Sequence, residues 1–99
     1  MPDTAPEFRV VDNPADRRFE LWTGEMLVGF ADYRLADGVI RLPHVEIEPE
    51  LQGRGYGGYL TKAVLDECRA RGLRVEALCP FVVAYLEDHP EYDDIAVAG

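Results

Sequence analysis

The sequence predicts an α+β, sandwich-like fold: a mixed, mostly antiparallel sheet with two helices, in the order β-β-β-β-α-β-α. Three observations predict it. The first half alternates apolar and polar residues between short turn signals, as half-buried strands do. A glycine-rich loop at residues 49–58 is followed by apolar residues at helical spacing from Tyr56 to Cys68. A short apolar run, Leu73 to Leu78, then separates that helix from a second one closed by His89-Pro90.

In chain order, residues 1–6 read as a frayed end of a single domain over 1–99. Phe8 to Val11 is a short apolar segment before the turn at Asp12-Asn13-Pro14. From Arg18 to Thr23 the residues alternate, with Phe19, Leu21 and Thr23 on one face and Glu20 and Trp22 on the other. Thr23-Gly24-Glu25 turns the chain into Met26 to Leu35, and Ala36-Asp37-Gly38 turns it again into Val39 to Leu42. Pro43 removes one ladder donor, so a kink or bulge is expected there before His44 to Glu48. The helix from about Gly55 to Arg71 should bury Tyr56, Leu60, Ala63, Val64 and Cys68, turn Thr61, Lys62, Asp66 and Arg69 outward, and stop at Gly72. Cys79-Pro80 ends the fifth strand. Phe81 to Asp88 reads as a helix with Val82, Val83 and Leu86 inward, and Tyr92 to Val97 as a short strand or coil.

Composition bounds the partners. The chain of 99 residues carries 19 acidic and 10 basic side chains, a net charge of -9. Nucleic acid binding rests on neutralising phosphates with Lys and Arg, so nucleic acid is not expected as the partner, and neither is an anionic membrane. The field favours amines or basic peptides, although acidity also serves solubility alone. The two cysteines, Cys68 and Cys79, do not form a metal knuckle, and no metal is expected. Without the apolar stretch of a secretory signal, a cytoplasmic protein with reduced thiols is the expectation, as monomer or weak dimer.

The run Gln52-Gly53-Arg54-Gly55-Tyr56-Gly57 stands between a strand and a helix. A helix start has unpaired N–H groups and partial positive charge, and glycines let phosphate oxygens approach them. Arg54 can add a charge-assisted bond. The same glycines also suit a tight turn with close helix–sheet packing, and the run alone does not decide between the two. No Gly-Lys-Ser/Thr closes it as in a P-loop, and the strands before it lack the parallel βαβ setting of a dinucleotide site.

Gln52-x-x-Gly55-x-Gly57, after an extended acidic strand, resembles the acetyl-CoA pyrophosphate loop of the GNAT N-acetyltransferases. Together with His44-Val45-Glu46-Ile47, Leu78-Cys79-Pro80-Phe81-Val82 and His89-Pro90-Glu91-Tyr92, it is similar to a small single-domain branch of that superfamily, in which a Cys-Pro follows the fifth strand. The likeness covers about residues 18–95. It implies fourth and fifth strands that splay apart around the pantetheine arm of acetyl-CoA, the cosubstrate. The cofactor-binding set it implies is Val45, Ile47, Gln52, Gly53, Arg54, Gly55, Tyr56, Gly57 and Gly58. There is no room for the two helices that usually follow the first strand, and the C-terminal hairpin is missing or truncated. The acceptor site should therefore be open and shallow, which suits a protein side chain or terminus.

Transfer to an amine needs somewhere for a proton to go. His44, Glu46 and Glu48 share a strand face, where each can take a proton or simply face water. Cys79 ends the strand expected to border the thioester. It is a covalent acetyl carrier, a non-covalent neighbour of the thioester, or a packing residue. The resemblance offers Tyr85 as the acid for the departing thiolate; otherwise it packs. Cys68 is expected in the core. Trp22, Phe19, Phe30 and Tyr33 are expected to pack, and His89 and Tyr92 to shape the C-terminal turn. Three functions stay open: an acetyl-CoA-dependent N-acetyltransferase, a module that binds acyl-CoA or CoA without transfer, and an interaction domain of the same fold.

Overall fold

Gly24, Asp37 and Gly38 take positive φ angles of 57°, 55° and 76°, and the chain reverses at these positions. At Asp37-Gly38 two consecutive positive φ values make the tight hairpin turn whose twist matches that of the flanking strands. A computed structural model describes residues 7–97; the expected frayed end at 1–6 lies outside the described residues. The elements are β1 (Phe8–Asn13), β2 (Arg18–Thr23), β3 (Met26–Ala36), β4 (Val39–Ile47), α1 (Tyr56–Ala70), β5 (Arg74–Ala77) and α2 (Pro80–Asp88). Short 3-10 turns occupy Pro49–Leu51 and Pro90–Tyr92.

The five strands lie in sequence order, antiparallel from β1 to β4, with β5 parallel to β4. The predicted mixed α+β order is therefore the observed one. The β3–β4 register shifts by one residue between Asp32↔His44 and Arg34↔Arg41, which puts Leu42 and Pro43 opposite Tyr33. The bulge thus falls at the proline, as expected from its missing N–H.

Both helices pack on one face of the sheet. Phe19, Leu21, Val28, Ile40 and Leu42 from the strands meet Leu60, Val64, Leu65 and Cys68 from α1. Two expectations about helix faces are corrected. Thr61 points inward at 2% exposure and donates its hydroxyl to the Gly57 carbonyl at 2.8 Å. That local bond satisfies it within the stripe Leu60, Thr61, Val64, Leu65 and Cys68. Val83 is 39% exposed, because α2 turns Val82 into the core and leaves its neighbour outside.

The C-terminal segment forms neither a full strand nor free coil. Val75 N–H donates to Ile95 O and Val97 N–H to Val75 O, giving one parallel bridge at Ala96. Tyr92 is buried and donates its hydroxyl to Asp66 at 2.7 Å, which pins this segment to α1.

Among the described residues the other sheet face carries no helix. There Trp22 lies under Arg9 and Phe30 under Arg18, at 5.7 and 4.6 Å. Glu20, on the face opposite Phe19 and Leu21 as the alternation predicts, is only 6% exposed. Arg18, Asn13 and Trp22 all donate to its carboxylate. Burial alone would raise its pKa, but those hydrogen bonds and the Arg18 charge outweigh it and hold the carboxyl below its usual range.

Candidate active site

The fifth strand follows the fourth only from Val39 to Leu42. Leu78 and Cys79 then both donate their N–H groups to the Leu42 carbonyl, at 3.1 and 3.0 Å, and the chain turns away into α2. From Pro43 onward no strand among the described residues lies beside β4 on that edge. The result is a wedge. Its cavity, about 290 Å³, is lined by Val45 and Ile47 of β4, Gln52 and Gly53 of the loop, Gly57 of α1 and Phe81 of α2.

The loop glycines serve different ends. Gly53 and Gly55 have φ of 80° and 85°, and a Cβ at either would point into open space. Their backbone requires glycine, and the room around them stays clear for a ligand. Gly57 is different: a Cβ there would meet Phe81 Cζ at 3.0 Å, so close packing of α2 on the start of α1 explains this glycine. Gly58 has the Tyr85 ring 3.8 Å from its would-be Cβ. Gln52 donates its amide to the Ile47 carbonyl at 3.1 Å, tying the loop to the end of β4. Arg54 is exposed and has no ion pair among the described residues. Tyr56 packs on Phe8 with ring centroids 5.2 Å apart. An anion fits at this helix start on chemistry and space together: freed N–H groups, a nearby guanidinium and a clear approach.

The expected chemical groups fall on both sides of the sheet. Cys79 lies two residues past the end of β5, at the cap position before α2, with 7% exposure, and it does not line the wedge cavity. Cys68 is in the core, where burial pushes its thiol up to about 11, so it stays protonated. His44 and Glu46 are exposed and paired, Nε2 to Oε1 at 3.0 Å, while Val45 and Ile47 between and beyond them line the wedge. The pleat therefore points the two candidate bases to the bare face. Glu48 follows the strand and donates its N–H to Val28 O. Tyr85 stacks on His89 at 3.8 Å, and burial raises its phenol above the ordinary value. Among the described residues no group of three His, Cys, Asp or Glu side chains could hold a metal.

Two residues that shape the wedge carry no site role in the sequence reading. Phe81, there a helix residue within the Leu78 to Val82 run of the resemblance, walls the cavity. Gly29, in β3, lets β4 pass close: a Cβ there would meet Glu46 O and Ile47 Cδ1 at 2.5 Å. A lone glycine inside a strand pattern is the signal that could have marked it.

A mixed sheet that opens between its fourth and fifth strands, beside a glycine-rich helix start, has the architecture of an acetyltransferase domain. The chain belongs to the GCN5-related N-acetyl-transferase family, whose sequence model matches residues 18–95. Its fold is similar to that of a GCN5-like protein from Staphylococcus aureus solved by NMR, with a TM-score of 0.70 and 26% identity over 92% of this chain and 89% of that one. It is also similar to the ribosomal-protein alanine N-acetyltransferases of Escherichia coli (TM-score 0.60, 22% identity, 74% of this chain) and Brucella melitensis biovar Abortus 2308 (0.58, 19%, 83%). The matches span 52% and 62% of those two larger chains, so at these identities they bear on fold alone. No curated protein sequence matches the chain. Among the described residues no helix is long and apolar enough to cross a membrane.

Proposed function

We propose that this protein moves an acetyl group from acetyl-CoA to a primary amine carried on a protein. One observation carries the reading. β4 loses its β5 neighbour after Leu42, and the open glycines at the start of α1 stand beside the freed segment. In this reading Val45 and Ile47 floor the pantetheine arm, and the N–H groups from Gly53 to Gly58, with Arg54, take the pyrophosphate. Acetyl-CoA supplies the activated acyl group as a thioester.

The amine attacks only when uncharged, so its proton must be removed. Glu46, paired with His44, is the acceptor in this reading, directly or through water, from the bare face. The uncharged amine nitrogen bonds to the acetyl carbon, the carbon–sulfur bond breaks, the departing thiolate takes a proton from Tyr85, and the proton that the new amide nitrogen sheds returns to the Tyr85 phenolate through water. The Tyr85 phenol, raised above its ordinary value by burial, is protonated near neutral pH and so holds the proton this step uses. Cys79 gives a second route: its thiolate takes the acetyl group, CoA leaves, and the amine then takes the acetyl group from sulfur.

One observation favours a binding module instead. His44 and Glu46 face away from the wedge-lining side chains, so no carboxylate or imidazole lines the cavity itself. Thermal unfolding with acetyl-CoA, with ADP as control, followed by turnover on amine substrates, separates the readings. Ligand at about 100 times its Kd adds roughly 2.7 kcal/mol, worth about ten degrees or more for a domain of this size. A shift of that size with turnover supports the enzyme. A shift without turnover leaves the module, and no shift at millimolar ligand removes both. A labile acetyl adduct, seen by intact mass and lost in Cys79→Ala, would assign the second route.

A further inference from the structure

A second opening lies on the far side of β5. Arg74 N–H reaches Gly38 O and Leu78 N–H reaches Leu42 O, so alternate residues of β5 bond inward to β4. Val75 and Ala77 therefore face the outer edge. Val75 is satisfied by Ile95 and Val97, whereas the N–H and C=O of Ala77 point to the outer edge, and beyond the β4–β5 ladder they meet no backbone partner among the described residues. Beside Ala77 runs a groove of about 520 Å³, walled by Leu78, Val83 and Leu86 and rimmed by Glu87 and Asp93. Leu78 is 52% exposed, a large apolar side chain left in water.

The charge at this rim is uncompensated. Glu87 and Asp93 have no cationic partner among the described residues, whereas Asp94 nearby is held by Arg69. Glu87 and Asp88 are the last two residues of α2, where the helix's own partial negative charge opposes them, and no basic residue stands in that turn. A cation arriving there relieves both repulsions. A second copy of this acidic chain would add to them, which disfavours pairing of two β5 edges.

We propose that this edge docks an extended, basic segment of the acceptor protein. Its main chain pairs with Ala77, its apolar side chains enter the groove, and its Lys or Arg side chains meet Glu87 and Asp93. The groove reaches Leu78, one residue before Cys79, where the chain leaves β4 for α2. The proposal rests on the acetyltransferase reading for the word acceptor, but the docking itself is tested without acetyl-CoA.

The probe is a fluorescein-labelled peptide of alternating Lys and Val, with alternating Glu and Val as control. Binding is followed by anisotropy and mapped by amide NMR shifts. The Lys–Val peptide is expected to bind, to shift Ala77, Leu78 and Val83, and to weaken tenfold or more in a Glu87→Lys, Asp93→Lys double variant. Both positions are exposed, so the variant should fold and keep the wild-type thermal response to acetyl-CoA. No binding at millimolar peptide, shifts confined to the bare face, or unchanged affinity in the double variant overturns the proposal. So does an Ala77 amide already protected from exchange in the free protein, since a second copy or residues 98–99 would then fill the edge. Peptide binding at Ala77 with no acetyl-CoA response would instead remove the enzymatic reading and leave the docking site.

Discussion

The two faces of the sheet are built from the same strands but do different work. The face under α1 and α2 is apolar, holds the core and opens into the wedge. The bare face gathers the charged and titratable groups, with Glu20 sheltered by its donors and His44 paired to Glu46. β4 belongs to both, since its pleat sends Val45 and Ile47 one way and His44 and Glu46 the other. For a sheet with only one face covered, stability concentrates on the covered side, and in the proposed reaction a proton would have to pass from the wedge to Glu46 across the strand.

The largest expected effect tests that division of stability. Leu60→Ala on the covered face removes a fully buried side chain and should cost about 2–5 kcal/mol, lowering Tm by ten degrees or more. Val11→Ala on the bare face, where the side chain is exposed, should stay within about 0.5 kcal/mol. Urea unfolding of both variants checks this. Comparable losses would mean that the bare face is covered in solution.

The next effect concerns the wedge. Gly55→Val places a β-branched residue at a φ of 85° and fills the open approach to the helix start. The strain should cost about 1–2 kcal/mol of stability. Acetyl-CoA affinity, measured by calorimetry where the variant is still folded, should fall roughly 100-fold, about 2.7 kcal/mol. A change of no more than twofold would move the anion away from this loop.

Much of this division was legible in the sequence, for physical reasons. Period-two alternation marked Phe19 and Leu21 as facing against Glu20 and Trp22, and the missing N–H of Pro43 marked the bulge. What alternation does not say is how much each face is covered. Glu20 lies on the face the alternation gives it, yet long neighbours bury it without any helix above. Thr61 read as outward because its hydroxyl is polar, yet a carbonyl four residues back satisfies it. The wedge was legible only through the loop motif and the resemblance it carried. Its Phe81 wall depends on how α2 lies against α1, a tertiary contact that no local pattern encodes.

The smallest effect sharpens the comparison from the bare side. Three donors hold the Glu20 carboxylate, and its folded pKa lies below the ordinary value near 4.5. A depressed carboxyl pKa contributes stability above the unfolded value and loses it as pH falls through the folded one. Glu20 should thus stabilise the protein at neutral pH, with its contribution fading below about pH 4.5. Glu20→Gln keeps one acceptor oxygen but turns its amide toward groups that already donate, so at pH 7 it should cost about 1–2 kcal/mol. The gap between wild type and variant should then narrow steadily on acidification, because the wild type loses what the variant never had. Urea midpoints from pH 7 to pH 3 measure it. A gap that stays constant with pH would show that Glu20 acts on this face through packing rather than charge.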